Sequence, residues 1–190
     1  MAQKTIRLHP FSGQSPTELD ITCTVNRQAR LLQIEFRMQG DLKAVAIPAP
    51  AGRPARRHRL WEQTCFECFM AAAASPAYRE FNQSPSGDWN AYCFDDYRKG
   101  MREETAIPEL IPDVRREPDL LALGCRIDLG CIGLEREALV MGVAAVVRSA
   151  EGQNTYWAAS HAGPKPDFHR RQSFVVKTAP LEFAAGSDTC

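Results

Sequence analysis

Hydrophobic and polar positions along this chain alternate with a period of two. Leu32, Ile34, Phe36 and Met38 fall on one parity, with Gln33, Glu35 and Arg37 on the other. Successive side chains of a strand point to opposite faces, so this run predicts a strand with one buried and one solvated face. Leu121, Leu123, Cys125, Ile127 and Leu129 repeat the pattern opposite Gly124, Arg126 and Asp128, and Ile21, Cys23 and Val25 do so beside Thr22 and Thr24. Leu139 to Val147 is apolar on both parities, which predicts a central strand covered on both sides. Tyr156 to Ala159 and Phe174 to Lys177 are two shorter candidates. Helical periodicity is scarce. Ala71 to Ala74 predicts one short helical turn, and Glu104 to Leu110, stopped by Pro112, predicts another. Thirteen prolines and twelve glycines punctuate the chain. Short strands divided by turn signals predict an all-β, antiparallel β-sandwich.

The stretch from Leu60 to Met101 departs from a plain in–out pattern. Its three β-like runs, Cys65 to Met70, Tyr78 to Asn82 and Asn90 to Tyr97, interleave acids, amides and aromatics with apolar residues. Parity puts Tyr78, Glu80 and Asn82 on one face, puts Asn90, Tyr92, Phe94 and Asp96 on one face, and sets Glu67 opposite Phe66, Cys68 and Met70. Apolar walls carrying a few placed polar groups are the makeup of a ligand site. Trp61, Trp89, Tyr92, Tyr97 and Trp157 supply π-faces. Of these, Trp89 follows the turn Ser84 to Asp88 and is expected at an open loop edge. A second constellation, His161, Lys165, Asp167 and His169, lies on a loop stiffened by Pro164 and Pro166. It is expected to close one end of a cleft floored by Glu67, Glu80 and Asn82. The alternatives for this loop are a structural one, in which Asp167 caps the turn and His169 is an exposed strand-start residue, and a metal-dependent enzyme with His161, Asp167 and His169 as a 2-His-1-carboxylate set.

Composition narrows the classes. The 190 residues fit one domain, expected over 1–183, with a frayed tail at 184–190. Lys plus Arg equals Asp plus Glu at 23 each, which argues against a nucleic-acid or membrane-surface binder. The basic run Arg53 to Arg59 sits among prolines and reads as a solvated loop. Seven cysteines at irregular spacing, with no apolar leader in the first residues, predict free thiols and a cytoplasmic location. Cys65 and Cys68 stand at i and i+3, so on a strand they point apart and do not make a metal or redox pair. No G-x-S-x-G, P-loop or G-x-G-x-x-G string occurs. A binding module is expected rather than an enzyme.

Trp61-Glu62, Phe66-Glu67-Cys-Phe69, Tyr78-x-Glu80-Phe81-Asn82, Ser84-Pro-Ser-Gly87, Trp89-Asn90 and Tyr97-Arg98-x-Gly100-Met101 together resemble bacterial DOMON-like proteins related to family-nine carbohydrate-binding modules. Tyr156-Trp157 and Lys165-Pro-Asp-Phe-His169 extend the resemblance to residues 5–180. It implies a jelly-roll-like sandwich that binds a small saccharide or other polar ligand. It also implies that Trp61, Glu62, Glu67, Glu80 and Asn82 border the cleft. Trp89, Asn90, Tyr97, Arg98, His161, Lys165, Asp167 and His169 complete the expected ligand-binding set. No cofactor is expected. The alternative within the resemblance is a haem-binding electron-transfer module with Met and His axial ligands.

Overall fold

A computed structural model describes residues 3–13 and 18–180; the expected tail at 184–190 lies outside them. The described residues form twelve strands: β1 Lys4–Pro10, β2 Leu19–Gln28, β3 Leu31–Gly40, β4 Cys65–Ala72, β5 Tyr78–Gln83, β6 Trp89–Phe94, β7 Arg102–Glu103, β8 Asp113–Arg116, β9 Leu120–Asp128, β10 Leu139–Arg148, β11 Asn154–Ala158 and β12 Val176–Thr178. Five short 3₁₀ turns accompany them, and the described residues contain no α-helix. No helix among them is long and apolar enough to cross a membrane. Every strand ladder is antiparallel, in the order β7-β6-β5-β4-β10-β11-β1-β2-β3-β9-β8, with β12 beside β10. The sheet curls on itself at β1. Its Lys4 to Leu8 part pairs with β2, and His9 and Pro10 pair with β11. Strands β1, β2, β3, β9 and β8 thus make one layer of a β-sandwich, and β7, β6, β5, β4, β10 and β11 make the other.

The period-two pattern builds the space between the layers. Ile21, Cys23 and Val25, Ile34, Phe36 and Met38, and Leu121, Leu123, Cys125 and Ile127 all face inward and are buried. From the second layer Phe66, Cys68, Met70, Phe81, Ala91, Val143, Ala145 and Val147 meet them. Phe36 and Phe66 touch across the interface with ring centroids 5.3 Å apart.

The second layer is also covered on its outer face. Phe69, Ala71, Tyr78, Tyr92, Phe94, Ala144, Ala158 and Phe174 form a smaller apolar cluster there, with Trp61 and Phe168 packed against it. This explains why the burial of β4 and β10 does not alternate, and β10 is the doubly covered strand that its sequence predicts. The cover comes from the 3₁₀ turn Leu60–Glu62 and from the segment 161–175.

Four local expectations are corrected. Ala71 and Ala72 extend β4, because Leu139 and Val140 of β10 pair with Ala72 and Ala71. Glu104 to Leu110 forms a turn and an extended stretch, anchored by Arg56, whose guanidinium reaches the carbonyls of Glu104 and Ile107. Strand β6 stops at Phe94, so Asp96, Tyr97 and Arg98 stand on a hairpin turn. The basic run is not simply solvated. Arg56 also bonds the Asn90 side chain at 2.9 Å and lies 4.4 Å from the centre of the Trp89 ring.

Candidate ligand-binding site

The outer face of the second layer holds a cavity of about 330 Å³ within the size range of small-molecule sites. Register dictates its floor. Glu67 is paired with Asn82, and Phe69 with Glu80, so the two glutamates are diagonal neighbours on one face of β4 and β5. Glu67 is 3% exposed and Glu80 4%. Asn82 is fully buried and donates to Glu80 Oε1 at 2.7 Å. Glu67 Oε1 has no hydrogen-bond partner among the described residues.

One wall is the turn after β6. Arg98 adopts a left-handed φ of +53°, and two residues later Gly100 has φ +67°. A Cβ on Gly100 would lie 2.0 Å from an Asp95 carboxylate oxygen, so only glycine closes this turn. The Arg98 backbone N–H donates to the Tyr78 hydroxyl at 3.2 Å, and its guanidinium donates to Asp167 Oδ1 at 2.9 Å. The Tyr97 hydroxyl donates to Asp167 Oδ2.

The opposite wall is the loop Pro166 to His169. Asp167 is its anchor. Beyond Tyr97 and Arg98 it accepts the His169 backbone N–H at 3.3 Å and lies 3.3 Å from Arg170. The Tyr78 hydroxyl, already an acceptor for Arg98, is placed to donate to His169 Nδ1 at 2.8 Å. That leaves the histidine proton on Nε2, which lies 3.9 Å from Glu80. Trp61, Phe94, Met101, Val146, Tyr156 and Phe168 supply the apolar lining.

The charges follow from burial. Glu67 is pushed well above the carboxylate range by burial and then by the adjacent Glu80, with Arg98 opposing. Glu80 is pushed up to about 7 by burial, against the Asn82 amide and the Arg98 charge. His169 is held down to about 4 by burial and by Arg98, with Asp167 opposing, so it is neutral and its approach to Glu80 is not an ion pair at neutral pH. Burial raises Asp167 too, yet bonds from Tyr97 and Arg98 and the Arg98 charge outweigh it and hold the carboxyl below its ordinary range. Burial raises Tyr78 to about 12, so its hydroxyl keeps its proton.

Of the expected site residues, the cavity brings together Trp61, Glu67, Glu80, Arg98, Asp167 and His169, and Tyr97 joins them through Asp167. Asn82 stands beside the glutamates on the same face and supports the floor by donating to Glu80. The loop carrying Asp167 does border the cleft floored by the glutamates. Five residues stand elsewhere. Trp89 is corrected outright: it is 3% exposed and points between the layers, because parity sets it with Ala91 on the inner face of β6. Asn90 is fully buried and spent on the Arg57 carbonyl, the Tyr92 hydroxyl and Glu103. Glu62 is exposed and paired with Arg59. His161 bonds the His9 carbonyl at 2.8 Å, which ties the loop to β1 instead of the cavity. Lys165 is exposed outside the lining.

His161, Asp167 and His169 therefore do not converge, and the described residues hold no cluster of three metal-ligating side chains. Phe94, Met101, Val146, Tyr156 and Phe168 were missing from the expected set. Parity on β6 pointed to Phe94, whereas only the fold brings β10, β11 and the loop to the same hollow. A larger hollow of about 580 Å³ on the outer face of the first layer, lined by Thr24, Asn26, Gln33, Glu35 and Arg126, has no aromatic wall of the kind typical of ligand sites.

No family model matches this chain, and no curated protein does. Solved structures do. A candidate carbohydrate-binding protein from Bacteroides uniformis superposes with a TM-score of 0.64 at 14% identity, covering 89% of this chain and 84% of its own. A family-nine carbohydrate-binding module from Caldicellulosiruptor kristjanssonii in complex with cellotriose gives 0.47 at 11% identity, over 83% and 71%. The glucose complex of a family-nine module from that organism gives 0.44 at 11% identity, over 76% and 68%. The class the fold defines is the antiparallel β-sandwich of the Bacteroides protein. That is the fold implied by the resemblance of the Leu60 to Met101 stretch.

Proposed function

We propose that this protein is a non-catalytic binding module for a small saccharide, held between Trp61, the Glu67–Glu80 floor and the Pro166 to His169 loop. One observation carries the reading: polar groups that the fold does not need are buried against aromatic walls in one cavity. Burying a carboxyl without a partner costs free energy, and such a cost persists where a ligand repays it. Trp61, Tyr156 and Phe168 offer faces and edges for the C–H surface of a sugar ring. Glu67, Glu80 and His169 Nε2 offer both acceptors and donors for hydroxyls, and Asp167 holds Arg98 and the loop in place beside them. The name carried by the Bacteroides neighbour, a candidate carbohydrate-binding protein, agrees with this ligand class.

The test is a thermal-shift screen of mono- and disaccharides, followed by calorimetry. A saccharide at 100 times its dissociation constant is expected to stabilise by about 2.7 kcal/mol, a rise of several degrees for a chain of this size. Trp61→Ala and Asp167→Ala are each expected to weaken binding about ten- to a hundredfold. Trp89→Ala is expected to lower the melting temperature without a specific effect on binding. A screen in which no saccharide shifts the melting temperature would sink the reading. A Soret band in the purified protein would replace it with the haem alternative, for which Met101 and His169 line the same cavity.

A further inference from the structure

We infer that the saccharide taken by this cavity carries a free amino group, whose ammonium is received by the Glu67–Glu80 pair. The inference rests on the saccharide-binding reading and names the chemical class within it.

Three carboxyl groups line the cavity, and their neutralisation is unequal. Asp167 has Arg98 bonded to it and Arg170 beside it. Among the described residues, no cation is bonded to Glu67 or Glu80. The groups facing them from every packed element are Cys65 on β4, Tyr78 on β5, Tyr92 on β6, Arg98 on the following turn, Tyr156 on β11, and Asp167 and His169 on the loop. Of these only Arg98 is cationic, and its guanidinium is committed to Asp167. Glu67 is nine-tenths or more buried and leaves Oε1 unpartnered in a cavity-lining residue. Two adjacent carboxyls, one unsatisfied, with no countercharge of their own, form an incomplete site. An ammonium has three N–H donors and one positive charge. It satisfies the free oxygen, removes the repulsion within the pair, and lets both groups ionise in a low-dielectric pocket. A neutral hydroxyl supplies the hydrogen bond but not the charge.

Proton bookkeeping follows from the geometry. The empty pair keeps at least one proton at neutral pH, because burial and mutual repulsion disfavour two charges. An ammonium favours the doubly ionised pair, so binding releases a proton, and affinity rises with pH until the amine itself deprotonates. A neutral sugar releases none.

The experiment is isothermal calorimetry with gluco-, galacto- and mannosamine, their N-acetyl forms and the parent hexoses, in buffers of differing ionisation enthalpy. At least one hexosamine is expected to bind about tenfold or more tightly than its parent hexose and its N-acetyl form. Its heat is expected to vary with buffer in the sense of proton release. Glu67→Gln and Glu80→Gln keep the side-chain shape and remove the charge. Each is expected to bring the ratio of amine to parent-hexose affinity to about one, whatever it does to the hexose affinity itself, while the unliganded melting temperature does not fall. Hexoses that bind as tightly as their amines would overturn the amine inference and leave the saccharide reading standing. An amine preference that survives both glutamine variants would also overturn it, since another group would then receive the ammonium. A panel in which nothing binds overturns it as well, and the wider saccharide screen then decides whether the cavity binds sugars at all.

Discussion

At the scale of single residues, Glu80 and His169 make the stability of this protein depend on pH in opposite senses. Glu80 titrates near 7 when folded, chiefly because burial opposes its charge. Between the ordinary glutamate range and that point the folded state holds a proton that the unfolded chain has released. Stability therefore falls as pH rises through that window. Burial holds His169 down to about 4. Between that point and the ordinary histidine range the unfolded chain takes up a proton that the folded state refuses, so stability falls as pH drops. The two slopes offset each other between about pH 4.5 and 6.5, and the carboxyl slope alone remains above it, with Glu67 adding in the same sense. The melting temperature of the ligand-free protein is expected to fall between about pH 6.5 and 8. Glu80→Gln is expected to flatten that decline, and His169→Gln, by removing the opposing slope, to extend the decline with rising pH down to about pH 4.5. A wild-type melting temperature that rises over the alkaline interval would contradict the burial of the carboxyl pair. Sequence parity placed both glutamates on the correct face, but the pairing of β4 with β5 decided that they are diagonal neighbours.

At the scale of elements, β10 shows how tightly the site rests on one strand. On its outer face a Cβ at Gly142 would come 3.0 Å from the Phe174 ring. Phe174 in turn packs against Phe69 and Tyr78, its ring centroid about 6 Å from each. Gly142→Val is therefore expected to overpack this layer and cost about 1–3 kcal/mol, seen as a lower melting temperature, and to loosen the segment that carries His169. Gly124→Ala on β9 is the control. Its new methyl would meet only the Ile34 carbonyl oxygen, at 3.9 Å, and is expected to change stability by less than about 0.5 kcal/mol. Equal losses in the two variants would show that Phe174 does not lie over β10 as described. The double apolar parity of Leu139 to Val147 announced a central strand. It did not announce that Phe174, some thirty positions on, uses the space above Gly142, because that contact is set by the path of a loop.

At the scale of the whole molecule, the cysteines report on the sandwich. Cys23, Cys65, Cys68 and Cys125 are buried, and burial raises each thiol above its ordinary value. Cys131 is exposed. Thiol titration of the native protein is expected to leave the four buried groups silent, and unfolding to reveal all seven cysteines of the chain. Rapid reaction of the buried four without denaturant would mean that the layers do not close over them.

Local pattern alone determined nine of the twelve strands, with β1, β7 and β8 the exceptions, together with their inward faces, the near absence of helix and the polar character of β4, β5 and β6, because side-chain alternation is a property of the strand itself. It went wrong where the same parity has two possible readings. Trp89 is as aromatic as Trp61, yet one lies between the layers and the other on the outer cover. Arg56 sits in a run that looks solvated and turns inward to hold Trp89, Asn90 and the turn after β7. The cavity belongs to this second kind of information. Its floor comes from β4 and β5, one wall from the turn after β6, the other from a loop about seventy residues later, and its lining from β10 and β11. No spacing along the chain encodes that convergence. It exists because the sheet curls at β1 and because segment 161–175 must cover the apolar outer face of a layer that one core cannot bury.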